Sequence, residues 1–240
     1  MQPLLIRLSD LFGRRSVLVV SLALFTLGTI ICCVAQNFTV LIAGRSVQGA
    51  GGGGCVSLTV IIITEIFPLR YRASYQSFLA IAWAVGTLLG PYIGGIFAET
   101  TTWRWCFYLN FPFLFIAIIM ATTMLRLEST YLNLSLATKL GLVDWIGAFL
   151  FMASTTSFLT GLTWAGSQYS WVSSHILVPM ALGVTGLAAT IIWEIFGSQE
   201  PFLRLKLFRT KSANAGFFSG IVMGLVVGAI QSLSLFMNLD

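Results

Sequence analysis

Read as an alternation of apolar and polar positions, the 240-residue chain consists of long apolar stretches separated by short polar joints. Seven stretches stand out, at about Val17–Ala35, Val40–Ile63, Tyr75–Ala98, Phe107–Leu125, Trp145–Trp164, Ile176–Phe196 and Ala215–Phe236. Each is close to the roughly 20 residues needed to cross a hydrocarbon core of about 30 Å. Backbone amides in lipid must be satisfied within their own segment, and the stretches lack the period-two alternation of barrel strands, so the pattern predicts helices. The expected fold class is an all-α integral membrane protein with about seven transmembrane helices. Met1 to Arg15 are too polar for a secretory leader, and another apolar stretch follows immediately.

Composition agrees with that pattern. Only 9% of residues are charged and 57% are hydrophobic, against about 25% charged residues in soluble domains. The net charge of +5 raises the question of nucleic acid, but the placement of the cations answers it. Arg7, Arg14, Arg15, Arg70, Arg72, Arg126, Lys139, Arg204, Lys206, Arg209 and Lys211 all fall on one side if the spans alternate. Arg104 alone lies opposite, and Arg45 is inside a span. This is the positive-inside pattern, which assigns the cation-rich joints to the cytosol and makes the bilayer, with no nucleic acid, the expected partner. The sequon Asn133-Leu-Ser135 is then cytosolic, and Asn37-Phe-Thr39 lies in a very short outer joint. Trp103, Trp105, Tyr108, Trp164, Tyr169 and Trp171 collect at the outer ends of spans, as interfacial aromatic residues do. Cys32, Cys33, Cys55 and Cys106 have neither metal nor redox spacing and read as small apolar fillers.

Within the spans a few residues break the pattern. Arg45 lies about five residues inside the second stretch, where a charge costs about 2.5–3.5 kcal/mol on insertion scales unless it faces a partner or a water-filled cavity. Gln48, Gly49 and Gly52, at i+3, i+4 and i+7, share its side of the helix, and Gly49 and Gly52 are expected close-packing positions. Snorkelling of Arg45 to the outer interface is the plainer alternative. Gly49-Ala-Gly-Gly-Gly-Gly54 satisfies a dinucleotide fingerprint in letters only, because no strand–turn–helix surrounds it. Gly86, Gly90 and Gly94 recur every fourth residue beside Pro91 and Gly95, predicting a glycine seam with a kink. A static packing interface is the alternative use of that seam. Arg7 to Arg15 reads as a tight turn with one acid, Asp10, among bases. Glu65, Glu99, Asp144 and Glu194 lie near span ends and read as solvated, and His175 as a bland interfacial histidine. No Ser/His/Asp, metal-ligand or paired-carboxylate constellation appears, so an enzyme and a cofactor are not expected.

Taken in order, these motifs resemble the major facilitator superfamily. Asp10-Leu-Phe-Gly13-Arg14-Arg15 is similar to the signature loop between that family's second and third helices, although Ile6 stands where the motif has a glycine. Arg45 with Gln48 and Gly49 resembles the fourth-helix motif, and Gly86 to Gly95 the antiporter motif of the fifth helix. Trp103-Arg-Trp-Cys-Phe-Tyr-Leu-Asn110-Phe-Pro112 and Asp144-Trp-Ile-Gly147 resemble segments of the 14-span drug:proton antiporter branch. The resemblance implies a partial major-facilitator bundle divided as 1–125 (incomplete amino-terminal bundle), 126–212 (cytosolic linker and two central extra helices) and 213–240 (first helix of the second bundle). Gln2-Pro3 would be the last remnant of the second helix and Asp240 would follow the ninth. The expectation is that the 240 residues alone do not transport. The implied function is proton-coupled efflux of a small organic drug or metabolite by alternating access. Asp10, Arg14 and Arg45 would serve in proton coupling and charge relay, and Gly86, Gly90, Pro91, Gly94 and Gly95 as the hinge. The implied location is the plasma membrane, with the vacuolar membrane as the alternative. An uptake porter for sugars or siderophores, or a non-transporting interaction protein, are the alternative functions.

Overall fold

The computed structural model describes residues 2–125, 135–166, 168–197, 214–216, 218–220, 222 and 224. Two compact units divide the chain, Met1–Glu200 and Pro201–Asp240. The expected seventh span falls in the second unit, where the described residues between 214 and 224 are helical and the rest of the stretch lies outside the described residues. The linker residue Arg126, Asn133 of one sequon, and the cations from Arg204 to Lys211 also lie outside them.

In the first unit the described helices run α1 (Gln2–Phe12), α2 (Arg14–Val34), α3 (Phe38–Ile66), α4 (Leu69–Thr100), α5 (Trp105–Tyr108), α6 (Asn110–Thr123), α7 (Leu136–Gly141), α8 (Trp145–Trp164) and α9 (Ser174–Phe196). Six are long and apolar enough to cross a membrane, counting α5 and α6 together as Trp105–Thr123. Several run past the apolar stretch that announces them: α4 begins at Leu69, six residues before Tyr75, because a helix continues through the polar interface beyond the hydrocarbon. Arg7 to Phe12, expected as part of a turn, instead belong to α1. The chain turns only at Gly13, whose φ of 92° suits a residue without Cβ.

Packing concentrates on α2. It lies against α3 along their length and touches α1, α5 and α6. One apolar cluster, Leu5, Val17, Leu58 and Ile62, joins α1, α2 and α3. A second, Leu22, Leu114 and Ala121, joins α2 to α6. α8 and α9 pair chiefly with each other. Within the described residues α4 has no buried position at all.

Both ends of the bundle are tied by polar contacts. At the cation-rich end, Arg15 donates to the Thr122 carbonyl, and the Lys139 ammonium sits 5.5 Å from the Phe12 ring centroid. Asp144 caps α8 by accepting from the Gly147 amide at 2.8 Å, and also accepts from the Trp193 indole of α9 at 3.1 Å, so it is structural rather than merely solvated. At the opposite end Arg104 donates to the carbonyls of Cys33 and Ala35, at 3.1 and 2.7 Å, satisfying acceptors that α2 leaves open at its carboxy terminus. His175 stacks on Tyr169 at 4.7 Å, an interfacial contact.

Candidate functional site

Two polar groups and one glycine-lined face emerge from this frame. The first group is at the α1–α2 corner. Arg14 opens α2 one residue past the Gly13 bend, which turns its side chain back towards Asp10 of α1, one helical turn earlier; the two form an ion pair. The same guanidinium reaches across to Glu65 at the end of α3, with Nη2 at 2.7 Å and Nε at 2.9 Å from one carboxylate oxygen. Arg14 therefore clamps three helices, and Glu65, expected to be solvated, is its partner on α3. Its 51-residue separation from Arg14 hides that pairing from any local reading. Glu194, also expected to be solvated, is only 5% exposed on α9.

The second group lies deep in α3. Arg45 donates to the Gln48 side-chain carbonyl at 2.9 Å, and the Gln48 amide donates to the Thr29 hydroxyl of α2 at 2.9 Å. Thr29 in turn donates to the Phe25 carbonyl at 2.8 Å. Gln48 and Thr29 are buried, whereas Arg45 lies at the open end of the row with its guanidinium carbon 5.9 Å from the Phe107 ring centroid. Spacing alone places Gln48 beside Arg45; Thr29 and Phe107 come from other helices and carry no local signal.

What brings α2 and α3 so close is glycine. A Cβ at Gly28 would lie 2.4 Å from the Gln48 backbone nitrogen, and one at Gly51 2.4 Å from that of Phe25. Gly44 and Gly54 are equally confined, by Cys32 and Ser21. The anticipated packing positions fall differently: among the described residues Gly52 touches only the Phe25 ring at 3.3 Å, and Gly49 meets nothing within 4 Å.

The antiporter-like face is the reverse case. Among the described residues Gly86, Gly90 and Gly95 have nothing within 4 Å of a Cβ, and Gly94 has only the Cys106 sulfur at 4.0 Å. Pro91 is inside the 32-residue α4 without interrupting it. Between α3 and α4 lies an open cleft of about 580 Å³, lined by apolar side chains with Thr59, Gln76 and Trp83 among them.

The model of the Major Facilitator Superfamily matches residues 1–239. The chain belongs to that superfamily. Its relatives include MFS transporter L2 of Phoma sp., 41% identical over 229 residues, covering 95% of this chain and 38% of that protein. MFS-type transporter sphD of Aspergillus fumigatus is 38% identical over 236 residues, covering 98% of this chain and 41% of that protein. MFS-type efflux pump LUC4 of Fusarium sp. is 32% identical over 228 residues, covering 94% and 40% respectively. The chain thus spans about two fifths of the length of the curated relatives it matches. As a superfamily member with six membrane-length apolar helices among its described residues, it is a multi-pass membrane protein, and its relatives are named as transporters rather than enzymes.

Proposed function

We propose that this chain forms the coupling half of a proton-driven exporter of small organic molecules, working by alternating access with further helices of the same transporter. The observation that carries the reading is the pairing of a close-packed, polar-threaded α2–α3 seam with a glycine and proline face on α4 that is open among the described residues. A rocking bundle needs both: a part that keeps its geometry, and a face along which another helix can slide closely.

The geometry supports assigning four further roles. Arg45 is oriented by a neutral acceptor, so its positive charge stays available to favour the ionised form of a proton-binding carboxylate contributed by the rest of the transporter. The Asp10–Arg14–Glu65 clamp is a latch on the cytosolic side, partly exposed and so weak enough to open. The cleft beside Trp83, Thr59 and Gln76 is apolar with a few polar groups, which suits an amphipathic organic molecule. Gly86, Gly90, Pro91, Gly94 and Gly95 form the hinge and seal. Export rather than uptake is supported by that motif and by the name of the Fusarium relative as an efflux pump. The plasma membrane is the proposed location, and residues 1–125, 126–212 and 213–240 the proposed division into first bundle, linker with central helices, and second bundle.

The test is a chimera in which residues 1–239 replace the matching segment of the Phoma transporter, reconstituted in liposomes with an amphipathic fluorescent cation. The expected result is export that needs an imposed pH gradient and is lost in Gly90→Leu. Export indifferent to the gradient would overturn the proton-coupled reading.

A further inference from the structure

Arg45 does not hold itself in place, and the order of donors and acceptors around it has a definite direction. Thr29 is fully buried on α2. A threonine hydroxyl has one proton to give, and here it is spent on the Phe25 carbonyl at 2.8 Å, one turn earlier in the same helix. Thr29 can therefore only accept from Gln48. That requirement decides which way the Gln48 amide points: its NH2 faces Thr29, at 2.9 Å, and its carbonyl oxygen is left facing Arg45, also at 2.9 Å. A flipped amide would set NH2 against a guanidinium, which has donors only. Gly28, the neighbour of Thr29, makes the contact possible. Its missing side chain lets the α2 backbone lie directly on the Gln48 backbone, which brings the amide within reach of the hydroxyl. No carboxylate among the described residues pairs with Arg45, so within them the row ends in an oriented cation held by a neutral acceptor.

We infer that Thr29 is a positioning residue for Arg45: through Gln48, its hydroxyl sets the place from which the guanidinium acts on the proton-binding group. The consequence for coupling rests on the export reading; the positioning itself can be measured on this chain alone.

The experiment has two arms. In the first, the 240-residue chain in lipid nanodiscs is treated with phenylglyoxal, and modification of Arg45 is followed by peptide mass spectrometry, with Arg104 as internal reference. Thr29→Val is nearly isosteric and Thr29→Ala removes the hydroxyl by another route. Each is expected to raise the Arg45 rate on the order of fivefold, the equivalent of one net hydrogen bond, while Thr29→Ser reacts as the parent chain does. An unchanged rate in both Val and Ala variants, or a Ser variant that behaves like Val, would overturn the inference. In the second arm the same variants are placed in the chimera and the pH profile of export is recorded. A less firmly held guanidinium favours the carboxylate anion less, so Thr29→Val should move the inflection to higher pH, by up to about one unit, and Thr29→Ser should restore it. A profile that scales in amplitude without shifting would reduce Thr29 to a packing role and overturn the inference. If export proves independent of the proton gradient, the proton-coupled reading fails, while the first arm still reports whether Thr29 positions Arg45.

Discussion

Glycine is put to opposite uses in the α2–α3 seam and on α4. In the seam Gly28, Gly44, Gly51 and Gly54 let two helix backbones touch, and any side chain there would collide with main-chain or adjacent side-chain atoms. On α4, Gly86, Gly90 and Gly95 touch nothing within 4 Å among the described residues. Glycine-rich helix faces therefore yield a locked joint in one place and an open face in the other. The difference lies in what stands opposite: α3 meets α2 along its length, whereas α4 makes only limited contact with α3 and α5 among the described residues. In lipid, where burial of apolar surface gives little drive for helix association, close approach of this kind carries much of the packing energy. A locked seam costs stability when altered; an open face should cost function and leave stability alone.

The largest effect should come from Gly51→Val, which drives a branched side chain into the Phe25 and Ser21 backbone and forces α2 from α3. Overpacking of that kind costs about 1–3 kcal/mol, and here the obstruction is main chain that cannot rotate away. Unfolding in mixed micelles should show a clear drop in midpoint; an unchanged midpoint would mean that the seam is loose. Gly183→Ala extends the comparison to the α8–α9 pair, where a Cβ would lie 2.6–2.7 Å from Phe158 atoms. It should lower the same midpoint, by less than the valine, and selectively loosen α9 in hydrogen exchange. A smaller effect is expected from Glu65→Gln, which weakens the partly exposed bridge to Arg14 by under about 1 kcal/mol in this chain. In the chimera it should instead speed opening of the cytosolic side, read as faster labelling of a cysteine placed there. Gly49→Ala should do least: with open space around it, alanine gains up to about 1 kcal/mol of helix propensity and strains nothing. Destabilisation there would show that Gly49 is packed after all.

Much of the architecture was legible from the apolar stretches alone, since six of them coincide with membrane-length helices. The pairing of Arg45 with Gln48 was legible as well, because residues three apart on a helix are neighbours whatever surrounds them. The choice of packed glycines was not. Between Gly49 and Gly54 every residue but Ala50 is glycine, so each side of that turn is open to close approach and spacing cannot say which side α2 takes. It takes the one shared by Gly44, Gln48, Gly51 and Gly54, displaced around the helix from the side of Arg45, Gly49 and Gly52. Glu65 and Thr29 escaped for a related reason. Their partners are 51 and 19 residues away, on other helices, and only the packing of α2 against α3 brings them together. Asp144, read from the sequence as solvated, caps α8 through the Gly147 amide, and its second bond to Trp193 depends on the α8–α9 pairing.

The most direct test of the contrast compares Gly28→Ala with Gly90→Ala in the same chain, by thermal unfolding in nanodiscs. Both substitutions add one methyl group to a helix and carry the same gain in intrinsic propensity. The expected result is a midpoint lowered by several degrees for Gly28→Ala, at roughly 2–4 °C per kcal/mol, and unchanged or slightly raised for Gly90→Ala. Equal shifts for the two, or a loss confined to Gly90→Ala, would contradict the account of a locked seam beside an open face.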